Sequence, residues 1–236
     1  MQNHKRVLQK KLSSVSIVIP VYNEITALKK NFHSIFQNFK KIKCDYELII
    51  VESGSTDGTQ GLIKNYNKKY KFRYFNEKYR NGWGSALKIG FENSSMDRIC
   101  FYSIDNQYDS KDLVEIINNY EGNIITYRKS YLQNRYRNIQ SIAFKYFCKI
   151  ILNMKFKDIH SIKILRKKNL REFSKLSDDW SIDVQILYLI SKKKIKYIEV
   201  EIPLYARNYG VSKVSLDDIF KIIFGVLSIR FSKNFK

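Results

Sequence analysis

The sequence has few of the residues that mark secreted, multidomain or membrane-spanning chains. Its three cysteines, Cys44, Cys100 and Cys148, lack the spacing of a disulfide framework or a metal motif. Two prolines and nine glycines among 236 residues form no linker-like segment. No run reaches the roughly 18 to 20 apolar residues of a membrane-spanning helix, and the first residues lack a secretory signal. We therefore expect one domain in a reducing cytoplasm.

Acidic residues are also scarce, at 22 against 43 Lys and Arg, for a formal net charge of +21. The excess of positive charge favours a polyanionic partner: nucleic acid, an anionic membrane surface or a phosphorylated substrate. No zinc spacing, helix-turn-helix signal or RNA-binding aromatic strand accompanies the charge, so we expect no nucleic acid partner. The GxxxxGK[ST] and GxGxxG motifs are absent too, which disfavours kinases and dehydrogenases.

Buried strands alternate with amphipathic helices along the first half of the chain. The predicted strands are residues 15–20, 46–51, 72–76, 98–104 and, in the second half, 196–203. Further helices are predicted at residues 138–154 and 181–193. This βαβα series predicts an α/β fold with a mostly parallel central sheet flanked by helices. In such sheets ligands bind beyond the carboxyl ends of the strands.

The chain divides into three predicted parts. A basic lead-in covers residues 1–14, one domain covers residues 15–215, and an amphipathic segment covers residues 216–236. That last segment carries Lys221 among apolar residues and is too short to span a bilayer. It either lies on an anionic membrane surface or packs on the domain as its last helix.

Three polar clusters follow predicted strands, namely VYNE at 21–24, ESGSTDGT at 52–59 and DNQYD at 105–109. Chain topology gathers them along one rim of the sheet. The glycines and capping residues of the second cluster suit a phosphate at a helix start, although an ordinary strand-to-helix turn has the same composition. Glu52 is placed to accept hydrogen bonds from a base or a ribose.

Four ordered motifs, VSIVIPVYNE, LIIVESGSTDGT, RNGWGSALKIG and YSIDNQYDSKDL, resemble the inverting family 2 glycosyltransferases with a Rossmann-like GT-A fold. In the second half RNIQS, KDIHSIKILRKKNL and RNYGVSK are similar to polyprenyl-phosphate sugar transferases such as the dolichol-phosphate mannose synthases. The resemblance implies transfer of a hexose from a UDP- or GDP-sugar, assisted by Mg²⁺ or Mn²⁺, to a polyprenyl phosphate. The protein would then work peripherally at the cytoplasmic face of a membrane.

The resemblance assigns the donor and metal sites residue by residue. Donor-binding residues are expected at Pro20, Tyr22, Glu24, Glu52, Gly54, Ser55, Asp57, Gly84, Ser103 and Asp105. The family's Asp-x-Asp-x-Gln motif corresponds to Ser103, Asp105 and Gln107, so Asp105 is the expected metal-binding and catalytic acid, with Gln107 as a second ligand. Mg²⁺ often takes one carboxylate plus substrate phosphates, so the loss at Ser103 predicts weaker affinity rather than none. Capping of the next helix is the alternative role for Asp105.

A phosphate acceptor is already ionised near neutral pH, so it needs orientation and charge screening rather than a general base. The matched basic and hydroxyl residues expected to bind it are Arg128, Arg137, Ser141, Arg207, Ser212 and Lys213. Arg137 and Arg207 are also the expected catalytic arginines. A solvated basic face is the alternative for these side chains.

Three further residues bear on the acceptor. Asp158 either orients the acceptor or an arginine, or forms a structural ion pair. Gln185 stands where the family has an acid, and His160 is a candidate base, although a lone histidine is more often a neutral hydrogen-bonding residue. Two other functions remain open. One is transfer to a saccharide in surface-glycan synthesis, which requires a base near the acceptor; the other is a degenerate nucleotide-sugar-binding protein that has lost turnover.

Overall fold

The computed structural model describes residues 12–128, 135–205 and 216–231, with side chains over 12–128, 144–205 and 222–229. The strands are β1 (Val15–Val21), β2 (Tyr46–Ser53), β3 (Arg73–Glu77), β4 (Arg98–Phe101), β5 (Ile124–Arg128), β6 (Lys163–Arg166) and β7 (Ile198–Ile202). The helices are α1 (Ile25–Phe39), α2 (Thr59–Lys69), α3 (Trp83–Glu92), α4 (Ser110–Asn119), α5 (Arg135–Leu152), α6 (Ile182–Lys192) and α7 (Leu216–Phe231).

The seven strands form one sheet in the order β3-β2-β1-β4-β6-β5-β7. Only β6 among them runs antiparallel to its neighbours, so the predicted mostly parallel α/β sheet is confirmed. Strands β5 and β6 were not expected from the sequence. The carboxyl ends of six strands and the amino end of β6 therefore lie along the same rim.

Strand β1 is buried along its whole length because helices cover both faces of the sheet. Ile17 and Ile19 belong to an apolar cluster with Phe32 of α1. Val18 points to the opposite face, where it joins a cluster with Leu87 of α3, and a β-carbon on Gly90 would fall 2.2 Å from Val18. The alternation along one central strand thus divides the core into two layers.

The C-terminal helix packs on the domain. Val226 and Ile229 are fully buried in the core layer that contains α6, and Gly225 lies directly against Ser181. A face buried in this way cannot enter a membrane, so this face of α7 follows the packed alternative. Phe224, in contrast, is 74% exposed. Within the described ranges no helix has the length and apolarity needed to cross a bilayer.

Candidate active site

Strand β1 lies between β2 and β4, so the strand order changes direction at β1. Such a change opens a crevice at the carboxyl ends of the strands, and the candidate site lies on that rim. Val21 pairs with Glu52, and Glu52 pairs with Asn76, so the ends of the first three strands are level. The amide of Tyr102 donates to the carbonyl of Val18, which brings the loop after β4 beside β1. Three of the predicted polar clusters therefore meet.

The loops after β1 and β2 are joined by hydrogen bonds. The amide of Asn23 donates to Ser55 Oγ at 2.8 Å, and the amide of Thr56 donates to Asn23 Oδ1 at 2.9 Å. Asp57 accepts from the amides of Ile25 and Thr59. Burial alone would raise the pKa of Asp57, but these hydrogen bonds outweigh it and lower the pKa. Ser55 and Asp57 thus fix the shape of the donor loop.

Glu52 is fully buried at the end of β2. One carboxylate oxygen accepts from the amide of Ser55 at 2.6 Å, whereas Oε2 has no hydrogen-bond partner among the described residues. A buried carboxylate oxygen without a donor is costly, and a ligand N–H or O–H would satisfy it. This geometry fits the predicted contact with a base or a ribose.

A guanidinium that the sequence interpretation did not include faces the same corner. Arg80 lies over the ring of Tyr22, with 4.6 Å from Cζ to the ring centroid. Gly54 has a φ of +68°, and a β-carbon there would come within 3.0 Å of the backbone of Tyr79. The Tyr79–Arg80 backbone is therefore seated on the donor loop. The signal was available, because Arg80 begins the RNGWG motif.

The glycine at position 84 has a packing role. A β-carbon on Gly84 would stand 2.2 Å from the carbonyl oxygen of Ser177, and the amide of Ser85 donates to the carbonyl of Asp178 at 3.1 Å. Trp83 stacks on Trp180 with ring centroids 4.8 Å apart. Glycine is therefore required at position 84 to let α3 approach the segment before α6. Its predicted contact with the donor stays a prediction.

Asp105 is 4% exposed and lies in a tight loop after β4. Its Oδ1 accepts from the amide of Gln107 at 3.2 Å, while the carbonyl of Gln107 accepts from the amide of Tyr205. The cap of α4 is Asp109, whose side chain accepts from Lys111. The capping alternative therefore belongs to Asp109 rather than to Asp105.

The metal prediction rests on few protein ligands. No three His, Cys, Asp or Glu side chains gather into a metal-binding group in the part of the chain that is described. Ser103, two residues before Asp105, is half-buried and contributes no charge. A divalent cation would thus depend on Asp105, Gln107 and the phosphates of a substrate, a set that Mg²⁺ accepts because it keeps several waters.

The acceptor half of the rim contains a buried ion pair. Asp158, 2% exposed, accepts from Arg128 Nε at 2.5 Å and from Arg128 Nη2 at 2.8 Å. Burial would raise the pKa of Asp158, but the hydrogen bonds and charge of Arg128 lower it. Because β5 runs parallel to β4, Arg128 reaches the rim at the end of its strand. Both roles considered for Asp158, orienting an arginine and forming an ion pair, are therefore one contact.

A second acid–base group adjoins this pair. Lys163, at the amino end of β6, contacts Asp183 Oδ1 at 2.7 Å, and His160 Nδ1 lies 3.7 Å from Asp183 Oδ2. Burial would raise the pKa of Asp183, but the charge of Lys163 and the hydrogen bond with His160 lower it to about 2. The sequence interpretation missed Asp183 because nothing near it in the chain indicates its partners.

Gln185 is committed to the protein itself. Its Oε1 accepts from the amide of Ser177, and its Nε2 donates to Ser177 Oγ and to Ser181 Oγ. The carboxylate expected from family resemblance is thus replaced by an amide whose hydrogen bonds hold the loop before α6. The amide of Gln185 does not supply a general base.

The other predicted acceptor residues lie outside the described side chains. Arg137 and Ser141 belong to the described backbone of α5, four residues apart on one helix. Arg207, Ser212 and Lys213 lie outside the described residues. Pro20 is buried in β1, and Glu24 precedes α1, where its amide donates to Thr59 Oγ1.

A mixed sheet with this strand order, a buried acid after the fourth strand and a tight loop after the second are typical of the GT-A fold. The same fold is found in glucosyl-3-phosphoglycerate synthase from Mycobacterium tuberculosis, solved with Mn²⁺, UDP-glucose and phosphoglyceric acid. It is 16% identical, with a TM-score of 0.64 over 92% of this chain and 79% of that one. A mannosyltransferase from Pyrobaculum calidifontis, with GDP-Man and Mn²⁺, gives 12% identity, a TM-score of 0.55, and coverage of 94% and 70%.

The model of the family "Glycosyl transferase family 2" matches residues 16–174, well over half of the chain. The chain belongs to this family. It is 27% identical to dolichyl-phosphate beta-glucosyltransferase of Dictyostelium discoideum over 80% of this chain and 65% of that protein. It is 23% identical to dodecaprenyl-phosphate galacturonate synthase of Rhizobium johnstonii over 94% and 68%. The chain thus spans about two thirds of the length of these relatives.

Proposed function

We propose that this glycosyltransferase transfers a hexose from a UDP- or GDP-sugar to a polyprenyl phosphate, with inversion and with the help of Mg²⁺ or Mn²⁺. The observation that carries the proposal is the acceptor half of the rim, where Arg128 is held by a buried carboxylate and where the carboxylic acids are poor bases. Asp158 and Asp183 both have lowered pKa values, and Gln185 is an amide. Such a site suits an acceptor that is already ionised.

The relatives support the same acceptor class. One is named for dolichyl phosphate and another for dodecaprenyl phosphate. An isoprenoid phosphate needs its charge oriented and screened, and a guanidinium fixed at both Nε and Nη2 keeps its positive charge in a constant position. Arg128 fulfils this role in the proposal, with Arg137 and Arg207 as further contacts to the acceptor or to the leaving diphosphate.

On the donor side, Glu52 accepts a hydrogen bond from the base or ribose through its unpartnered oxygen. Tyr22 and Arg80 border that corner, and the Ser55–Asp57 loop keeps its shape. Asp105 and Gln107 would hold the divalent cation, which when bound would neutralise charge on the departing diphosphate. The chain's own contribution is orientation of the two phosphorylated substrates on either side of Asp105.

Phase partition tests this function directly. Purified protein is incubated with a panel of radiolabelled nucleotide sugars and undecaprenyl phosphate, with and without Mn²⁺, and the label entering the organic phase is counted. We expect one sugar to enter that phase in a metal-dependent way. Undecaprenol without phosphate serves as the matched control and should take up no label. Label that instead appears only in water-soluble glycan would replace the lipid acceptor with a saccharide.

Association with an anionic membrane forms part of the proposal. Helices α5 and α7 pack against each other and expose Tyr146, Ile150 and Phe224, while Lys145 and Lys149 lie beside Tyr146. Exposed apolar side chains flanked by lysines suit a headgroup boundary, where each lysine contributes on the order of 1 kcal/mol.

Flotation with phosphatidylglycerol vesicles measures this association. Ile150→Asp, at a side chain that is 77% exposed, should reduce flotation without unfolding the protein. Tyr120→Asp, at an exposed aromatic residue at the end of α4, is the matched control and should float like the wild type. Equal flotation of both variants and the wild type would remove this surface from the proposal.

A further inference from the structure

Five ionisable side chains form one cluster at the acceptor end of the rim: Arg128, Asp158, His160, Lys163 and Asp183. Two of the four permanently charged groups are cations and two are anions. Arg128 is paired with Asp158, and Lys163 is paired with Asp183 at 2.7 Å. Each of these two pairs is neutral overall.

His160 is also the most accessible member of this acid–base cluster. Its side chain is 34% exposed, whereas those of Asp158 and Lys163 are 2% exposed and that of Arg128 is 16% exposed. A ligand arriving from solvent would meet the imidazole before it met either buried partner. The buried members would then act by holding the exposed ones in place.

His160 is held at its backbone and on two sides of its ring. The amide of His160 donates to Asp158 Oδ1 at 3.1 Å, the same carboxylate that binds Arg128. The ring stacks on Phe144 of α5, with centroids 5.6 Å apart, and Nδ1 faces Asp183. A proton on Nδ1 directed at that carboxylate leaves Nε2 for a ligand. Such support distinguishes His160 from a mobile surface histidine.

We propose that His160 is an acceptor-binding residue, whose imidazolium contacts the phosphate of the acceptor beside Arg128 and supplies the net positive charge that the paired groups lack. The inference rests on the proposed function, because it takes a phosphate as the acceptor group. It assigns a role to a histidine that neither the donor site nor the metal site uses.

Charged groups on α6, β5, β6 and the loop before β6 surround the ring of His160. Asp183 from α6 and Asp158 from the preceding loop favour the imidazolium, whereas Lys163 from β6 and Arg128 from β5 oppose it. Phe144 from α5 contributes no charge. Because these contributions oppose one another, a phosphate dianion added at the ring shifts the balance toward the protonated form.

The first test is a pH series of the ratio of kcat/KM for the wild type to that for His160→Gln, measured with undecaprenyl phosphate. Taking the ratio cancels the titration of the acceptor itself. We expect the variant to lose roughly tenfold at pH 6 and only about twofold at pH 8.5, because only the protonated imidazole carries a charge that attracts the phosphate. A ratio that does not change with pH, or one that grows with pH as for a general base on a hydroxyl acceptor, would overturn the proposal.

His33→Gln is the matched control. His33 is on α1 and its Nδ1 lies 2.8 Å from the hydroxyl of Tyr70 at the end of α2, away from the acid–base cluster. Its kcat/KM should match the wild type at every pH. A pH-dependent loss in this variant as well would assign the effect to general histidine substitution and refute the role of His160.

The second test does not depend on turnover. The imidazole signals of the wild type are titrated by NMR with and without inorganic phosphate, and the two glutamine variants assign His160 and His33. We expect phosphate to raise the apparent pKa of His160 by about half a unit or more and to leave His33 unchanged. No change at His160 refutes the inference. Absence of label in lipid, with the His160 shift present, instead refutes the lipid acceptor of the proposed function.

Discussion

Replacing Asp158 by Asn separates the structural and functional parts of the acceptor site. The substitution keeps the shape of the side chain but removes the charge that pairs with Arg128 and one acceptor for its hydrogen bonds. Breaking a buried pair costs about 3 to 5 kcal/mol when the partner stays buried. Because Arg128 is 16% exposed and regains some hydration, we expect about 3 kcal/mol in the free energy of unfolding.

Urea unfolding at several pH values measures this cost. The folded-state pKa of Asp158 is lowered, so its stabilisation is present above the unfolded pKa near 4 and is lost as pH falls through the folded value. The difference in unfolding free energy between wild type and variant should therefore shrink in acid. Glu172→Gln breaks the exposed Lys193 pair and should cost less than about 1 kcal/mol. A loss no larger than this control would refute the buried-pair argument.

Three further predictions concern other parts of the site. Asp105→Asn should abolish transfer with little change in melting temperature, and wild-type turnover in this variant would contradict the metal assignment. Ser103→Asp should lower the Mn²⁺ concentration needed for half-maximal transfer. Gly84→Ala should destabilise the protein by about 1 to 3 kcal/mol, because the added β-carbon meets backbone atoms. Gly61→Ala, in open space on α2, is the control and should stabilise the protein slightly. Thermal melting measures both effects. Asp183→Asn should cost about 2 to 3 kcal/mol at pH 7, because the folded-state pKa of Asp183 is lowered to about 2. Urea unfolding should show that cost disappearing toward pH 2.

Local sequence predicted the strands that carry a continuous apolar run. Residues 15–20 and 46–51 are such runs, and β1 and β2 match them closely. Strands β5 and β6 were missed because neither carries a long apolar run, and β6 is the segment KILR, with a basic residue at each end. A lysine is acceptable in a buried strand only because Asp183 neutralises it, and that partner is 20 residues away in the chain.

The same reasoning explains which site residues could be anticipated. Asp105 and Glu52 follow apolar strands, so the rule that ligands bind at the carboxyl ends of strands located them. The pairing of Arg128 with Asp158 joins residues 30 positions apart, so local sequence offered that contact only as one of several roles for Asp158. The family resemblance predicts a donor contact at Gly84, and the structure adds that glycine here permits close approach of the chain itself.

Strand order explains why one rim can hold two phosphorylated substrates without mixing their charges. Glu52 at the end of β2 and Arg128 at the end of β5 lie on opposite sides of β4, and Asp105 follows β4 between them. An inverting displacement requires the attacking oxygen and the leaving oxygen on opposite sides of the sugar. With the nucleotide at Glu52 and the acceptor phosphate at Arg128, the sugar would lie near Asp105 and be approached from the β5 side. Exchanging the two substrates would set the fixed guanidinium against the base and the unpartnered carboxylate oxygen against a phosphate, an arrangement that like-charge repulsion disfavours.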